Sequence, residues 1–175
     1  MDWSVRLIDL VAANHEWAPW IVLMIGVGET IVGVSVFIPS TPIMIAVGAL
    51  VATGALEFLP IWAGATVGAV CGSTFSWWVG HRYGSSVLEE NRRQASTTRS
   101  RAWLRRWGLV PVFVSHLFAP LASFVFLVAG AVRIPFWRFQ MANLPGALVW
   151  GFLVLKAGEV GGHVAAYIWR YIVGA

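Results

Sequence analysis

Six polar residues set in apolar surroundings carry the groups that could do chemistry in this sequence: Glu29, Ser40, Thr41, His116, Ser123 and Asn143. Glu29 is the only formally charged side chain between Ala18 and Leu56. Taking a carboxylate out of water costs several kcal/mol unless it is neutralised, paired or wetted, so an acid at membrane depth marks an ion, proton or substrate path. His116 lies in a second apolar stretch, between Pro111 and Pro120. If those two stretches meet, the carboxyl and the imidazole form a proton-exchanging pair, with Ser40, Thr41 and Ser123 as hydroxyl partners. The same residues admit a structural role. Glu29 would then bond backbone freed by Pro39, while His116 and Asn143 would hydrogen-bond between helices. His15 and His163 lack the company of other ligands, so neither a metal nor a cofactor is expected. No Ser-His-Asp set or Lys/Arg-rich phosphate motif stands at comparable depth, and no enzymatic activity is expected.

The elements that position these residues belong to a membrane protein. Of 175 residues, 58% are hydrophobic and 11% charged, against about 25% charged in an average soluble domain. At about 20 residues per spanning helix the chain allows roughly three to five membrane segments in a single domain over residues 1–175. Cys71, alone in an apolar run, excludes an internal disulfide and reads as a small buried residue. Asp2 and Asp9 stand where a signal peptide would be basic, so a removable leader is not expected. The net charge of +4 is concentrated: Arg92, Arg93, Arg99, Arg101, Arg105 and Arg106 fall in one connecting segment. The positive-inside rule turns that segment to the cytoplasm, where it sets topology or meets anionic lipid. No recognition fold surrounds the arginines, and nucleic acid is excluded as a partner.

Along the chain, residues 1–14 predict an amphipathic helix lying at the interface, with Val5, Leu7, Ile8, Leu10 and Val11 among Asp2, Arg6 and Asp9. Residues 15–84 form a first half. An apolar helix from Trp17 to Phe37 carries Glu29, and the Pro39–Pro42 turn ends it, because prolines remove backbone donors. Ile43 to Leu56 would make only about 21 Å of helix, short of a core near 30 Å, which fits a re-entrant half-helix better than a span. Broken backbone at that depth calls for a polar cavity beside it. A surface turn between two ordinary spans is the alternative. The helix at 60–83 bears a stripe of Gly64, Gly68, Gly72, Ser76 and Gly80, suited to close helix approach within the chain or in a homo-oligomer. Residues 85–108 are the Arg-rich cytoplasmic segment. In the second half, 109–175, an apolar run from Leu109 to Val132 is interrupted by Pro111, His116 and Pro120. A long helix follows from Phe136 to Leu155, and the tail from Gly158 forms a short final span or an interfacial helix.

The two halves echo one another. Ala46-Val47-Gly48-Ala49-Leu50, Pro60-Ile61-Trp62 and Gly68-Ala69 have counterparts in Val128-Ala129-Gly130-Ala131-Val132, Pro135-Phe136-Trp137 and Gly146-Ala147. Paired interrupted segments in corresponding halves point to a two-repeat transporter with a midplane site. The expected fold class is therefore an all-α membrane protein, a multi-span helical bundle with two Pro-broken re-entrant hairpins in a two-repeat arrangement.

Three motifs in order also resemble a known family. Glu29 before Phe37-Ile38-Pro39-Ser40-Thr41-Pro42-Ile43-Met44 resembles the first-half signature of the DedA family, also called the SNARE-associated or VTT-domain family. Gly72-Ser73 through Tyr83-Gly84 resembles its middle motif. His116 through Pro120, Ala129-Gly130, Arg133, Phe139, Asn143, Gly146-Ala147 and Trp150 resembles its second-half signature. The resemblance implies a bacterial inner-membrane protein whose facing hairpins move lipids, phospholipid or polyprenyl-phosphate, across the bilayer as a flippase or scramblase linked to the proton gradient. Its partners would be membrane lipids, with anionic head groups among them, and protons. Glu29 matches the family's first buried acid. The second acid falls at Ser40 or Thr41, two hairpin arginines align with His116 and Ala122, and the middle motif has Ser73 and His81 in place of Asp and Arg. Arginine forks bind phosphate bidentately, so their loss keeps two alternatives open: a non-transporting scaffold that retains the fold, and a proton-coupled transporter of small solutes.

Overall fold

Proline placement organises the molecule. A computed structural model describes residues 16–31, 33–35, 40–90 and 109–173, all of the regular structure in it helical. The helices are α1 (Ala18–Thr30), α2 (Ser40–Ala52), α3 (Phe58–Glu90), α4 (Val110–Ser115), α5 (Ala119–Ala131) and α6 (Phe136–Val173). Pro19, Pro42, Pro60, Pro111 and Pro120 each fall within the first three residues of one of them. The first four N–H groups of a helix have no partner inside it, so proline there costs no hydrogen bond and pre-sets φ. Only Pro145 is interior, and α6 runs through it unbroken.

Among the described residues two helices are long and apolar enough to cross a membrane, Phe58–Gly84 with 27 residues and Phe136–Val164 with 29. At about 1.5 Å per residue each exceeds a hydrocarbon core of roughly 30 Å. Four shorter helices pack on these two. α1 lies along α3, where a Cβ on Gly64, Gly68 or Gly72 would run into the backbone at Pro19, Leu23 or Val27. Further along the same stripe, Gly80 meets the backbone of α5 at Leu127 and Ala131. α2 lies on α6, with Gly48 against Leu155 and Gly158. α4 also rests on α6, with Phe113 beside Gly146. The Gly64–Gly80 stripe is thus occupied inside the chain. Indole donors stitch the ends, Trp62 Nε1 to the Leu148 carbonyl at 3.0 Å and Trp77 Nε1 to the Ile134 carbonyl at 3.2 Å.

α2 and α5 are matched in detail. Each has 13 residues, about 20 Å of helix. Each ends in a Schellman turn: Gly54 N–H donates to the Val51 carbonyl and Ala55 N–H to Leu50 (3.0 and 3.2 Å), as Arg133 N–H donates to Gly130 and Ile134 N–H to Ala129 (2.8 and 3.1 Å). Two apolar cores result. One joins Val22, Ile43, Val47 and Ile61 to Trp150 and Leu155, and the other joins Trp77 to Val112, Phe126 and Phe139.

Several expectations are corrected. The first apolar helix ends at Thr30, not Phe37. The chain turns extended at Ile31 (φ −79°, ψ 126°) and Gly33 takes a left-handed φ of 89°, a conformation open to glycine, while β-branched Ile31 and Val34 favour leaving the helix. Of the expected Pro39–Pro42 turn, Ser40, Thr41 and Pro42 form the first turn of α2, and Pro39 lies outside the described residues. Pro111 and Pro120 likewise lie in the first turns of α4 and α5, and of the three expected interruptions the one at His116 is where the helix breaks, over His116–Phe118, with Phe118 at φ −127° and ψ 80°. The helix expected to stop at Leu155 continues to Val173, so the tail from Gly158 is no separate element. α3 passes residue 84 and reaches Glu90. The interfacial helix of residues 1–14, His15 and Arg92, Arg93, Arg99, Arg101, Arg105 and Arg106 lie outside the described residues. Cys71 is exposed on the helix surface, not buried.

Candidate functional site

Glu29 is the next-to-last residue of α1, on the face that also buries Ala18, Val22, Ile25 and Gly26. That spacing of four, seven, eight and eleven residues carries one helical stripe into the protein, so the carboxyl goes inward, 3% exposed. The end of α1 is pinned beside it. Ser76 Oγ on α3 donates to the Thr30 carbonyl at 2.7 Å, and Thr30 Oγ1 donates back to Gly26 O at 3.0 Å. The first of these bonds satisfies a carbonyl that a helix C-terminus leaves open.

His116 caps the C-terminus of α4 and is also 3% exposed. Gly146 on α6 makes room for it, since a Cβ there would stand 2.7 Å from the imidazole Cδ2. Phe126 of α5 covers the ring, with centroids 4.9 Å apart. Glu29 and His116 line one pocket together with Thr30, Ala69, Ala122 and Trp150. It holds about 190 Å³ of space between atoms, too narrow for a water-sized sphere. The seam lies between the two apolar cores and is walled by α1, α3, α5 and α6, with His116 at the end of α4. Ala122 and His116, aligned above with two family arginines, are thus both on its wall.

The polar groups around the seam differ in how they are satisfied. Glu29 Oε2, Ser40 Oγ and Thr66 Oγ1 are buried without a hydrogen-bond partner, although Ser40, at the start of α2, lies beside the Glu29 carboxyl. A buried group left so costs about 1–3 kcal/mol, and more when charged. His116 instead belongs to a closed set. Its Nε2 lies 2.9 Å from Asn143 Oδ1, Asn143 Nδ2 donates to Gln140 Oε1 at 2.8 Å, and Gln140 Nε2 donates to Thr74 Oγ1 at 2.8 Å. Ser123 Oγ and Ser35 Oγ are 2.9 Å apart, linking α5 to the turn after α1. No cation reaches the seam from the described residues. Arg82, Arg133 and Arg138 are exposed, and the one ion pair described is Lys156 with Glu159 at 2.6 Å.

Of the residues expected at the site, Glu29, Ser40, His116, Ser123 and Asn143 are all buried. Glu29 and His116 share the pocket, and Ser40 adjoins it. Thr41 and Pro42 do not take part, being exposed on the outer side of the first turn of α2. Gln140, Thr74, Ser35, Ser76 and Trp150 were not anticipated as site residues. A signal existed for Gln140, an amide three residues before Asn143 and therefore on the same helix face. No group of three or more metal-ligating side chains occurs among the described residues.

Long apolar helices around a buried acid and imidazole define a helical membrane protein with an internal polar site. The chain belongs to the VTT-domain (DedA) family, whose model matches residues 38–160. It is 27% identical over 134 residues to the inner membrane protein YabI of Escherichia coli, an alignment covering 74% of this chain and 52% of YabI. A membrane protein of Mycobacterium bovis is 26% identical over 170 residues, covering 89% of this chain and 78% of the relative. One of Synechocystis is 29% identical over 132 residues, covering 73% and 61%. The chain thus spans about half the length of YabI. No solved structure matches it. Glu29 precedes the matched region, whereas His116, Asn143 and Gln140 lie within it.

Proposed function

We propose that this protein is a lipid flippase or scramblase, taking a phospholipid or a polyprenyl-phosphate and linked to the proton gradient through Glu29 and His116. The observation that carries it is the shared seam: a carboxyl with an unpartnered oxygen and an imidazole on one wall where helix ends converge, with the Ser40 hydroxyl beside the carboxyl. Buried ionisable groups on such a path fit proton relays. Helix breaks at 31–35 and 116–118 suit two re-entrant hairpins, α1–α2 and α4–α5. The reciprocal packing of α2 on α6 and α5 on α3, with matched lengths and end turns, supports a two-repeat arrangement. The N-termini of α2 and α5 bring positive dipole ends toward an anionic head group without arginine. The seam as it stands is the occluded form, and transport opens it by moving one hairpin against the other. On this reading the protein sits in the bacterial inner membrane with its Arg-rich segment turned to the cytoplasm by the positive-inside rule, and it carries out no enzymatic step.

A non-transporting scaffold is the second reading, favoured by the narrow seam and by the absence of arginine among the described residues that line it. Head-group accessibility in liposomes distinguishes the two. Purified protein should speed the exposure of inner-leaflet lipid, and Glu29→Gln should abolish the gain. Equal rates in protein-free vesicles, with phospholipid and with polyprenyl-phosphate, would favour the scaffold.

A further inference from the structure

The hydrogen bonds around His116 form a directed chain, and its direction is set far from the seam. Thr74 Oγ1 lies 2.6 Å from the Val70 carbonyl, which can only accept, so the single hydroxyl proton of Thr74 is committed there. Thr74 Oγ1 must then accept from Gln140, which presents its Nε2 at 2.8 Å. That fixes the Gln140 amide, whose Oε1 accepts from Asn143 Nδ2 at 2.8 Å. Asn143 is fixed in turn, with Oδ1 toward the imidazole at 2.9 Å. The last link therefore needs a proton on His116 Nε2. In the neutral ring the other nitrogen, Nδ1, then carries the lone pair.

We infer that Thr74, Gln140 and Asn143 are positioning residues that hold neutral His116 in its Nε2–H tautomer, making Nδ1 the atom that takes and returns a proton. The burial supports a single orientation: Asn143 is 0% exposed, His116 3%, and Gln140 and Thr74 are partly buried. Three elements contribute, α3 through Thr74, α6 through Gln140 and Asn143, and the end of α4 through His116. Ring rotation is blocked on one side by Gly146 and on another by Phe126. An unanchored amide pair could reverse its whole direction, because each amide offers a donor at one end and an acceptor at the other. The committed hydroxyl of Thr74 removes that freedom. The use of Nδ1 in transport rests on the function proposed above, whereas the tautomer does not.

Nitrogen-15 solid-state NMR of the full chain in liposomes tests it, with the His116 signals identified by their loss in His116→Asn. The wild type should show one protonated ring nitrogen, Nε2, in the neutral state. Thr74→Val keeps the shape and removes the acceptor, and should yield a mixture of both tautomers. Thr74→Ser should restore the single form, which a merely space-filling role for Thr74 would not require. Protonation at Nδ1 in wild type overturns the inference outright. An unchanged Nε2–H form in folded Thr74→Val overturns the part assigned to Thr74. If Thr74→Val fails to fold, Gln140→Met carries the same comparison from the middle of the chain. Loss of lipid movement with these tautomers intact would count against the proposed function and leave the positioning role standing.

Discussion

The two sides of the seam handle buried polarity in opposite ways. On the His116 side, each amide donor and acceptor is tied into a chain running from α4 through α6 to α3. On the Glu29 side, a carboxylate oxygen and a neighbouring hydroxyl are left open. Protein interiors seldom leave such groups unmade, and the contrast separates a part that holds still from a part with capacity to spare. A residue held in one state suits a fixed exchange partner. A residue with open bonding capacity suits binding something that comes and goes.

Breaking the open side should have the largest effect on activity and little effect on folding. Glu29→Gln should cut lipid movement by roughly 100-fold, the scale on which a positioned acid or base acts. Its unfolding in detergent should stay within about 1 kcal/mol of wild type, because the amide keeps the shape of the carboxyl and an oxygen to accept from Ser40 beside it. Wild-type rates in Glu29→Gln would remove the acid from the mechanism.

The partnered side should respond in reverse. Gly146→Ala places a methyl 2.7 Å from the His116 ring and 2.9 Å from the Phe113 carbonyl, an overpacking worth about 1–3 kcal/mol. Detergent unfolding should show the loss, and pairing it with His116→Ala should recover part of it. An additive pair would mean that the ring does not fill the space over Gly146. Asn143→Leu should cost somewhat less, about 1–2 kcal/mol, since interhelical bonds in membranes are partly replaced in the unfolded state. The substitution strands both His116 Nε2 and Gln140 Oε1. Equal stability would show that the chain carries orientation without strength.

Much of this contrast was legible in the sequence, for a physical reason. A carboxyl or an imidazole in an apolar run is conspicuous because its burial is expensive, so Glu29 and His116 stood out. Gln140 and Thr74 did not, since neutral amides and hydroxyls are cheaper to bury and their meeting depends on how α3 and α6 cross. Pro42, Pro111 and Pro120 begin helices instead of interrupting them, for a different reason. A proline both bars a helix from continuing and favours one that starts, and the sequence around Pro42 and Pro120 is compatible with either. The deciding fact is which N–H groups lack a partner, and that depends on where the preceding helix has stopped. At Ile31 and Gly33 the stop came from β-branching and a left-handed glycine, weaker signals that the prolines overshadowed.

The smallest expected effect compares the two Schellman turns. The position that follows the cap of α2 is Gly54, at φ 76°, and its counterpart after α5 is Arg133, at φ 59°. The left-handed conformation costs an L side chain roughly 1–2 kcal/mol, partly offset because a non-glycine residue has less freedom to lose on folding. Arg133→Gly should therefore stabilise the protein by about 0.5–1 kcal/mol, and Gly54→Ala should destabilise it by a similar amount. Opposite and equal shifts in thermal unfolding would establish that the two turns are equivalent. Should Arg133→Gly instead lower stability, the exposed guanidinium must offset its own backbone strain through a contact at the membrane surface. The α2 and α5 end turns would then differ in what stabilises them, as the two sides of the seam differ in how they satisfy buried polar groups.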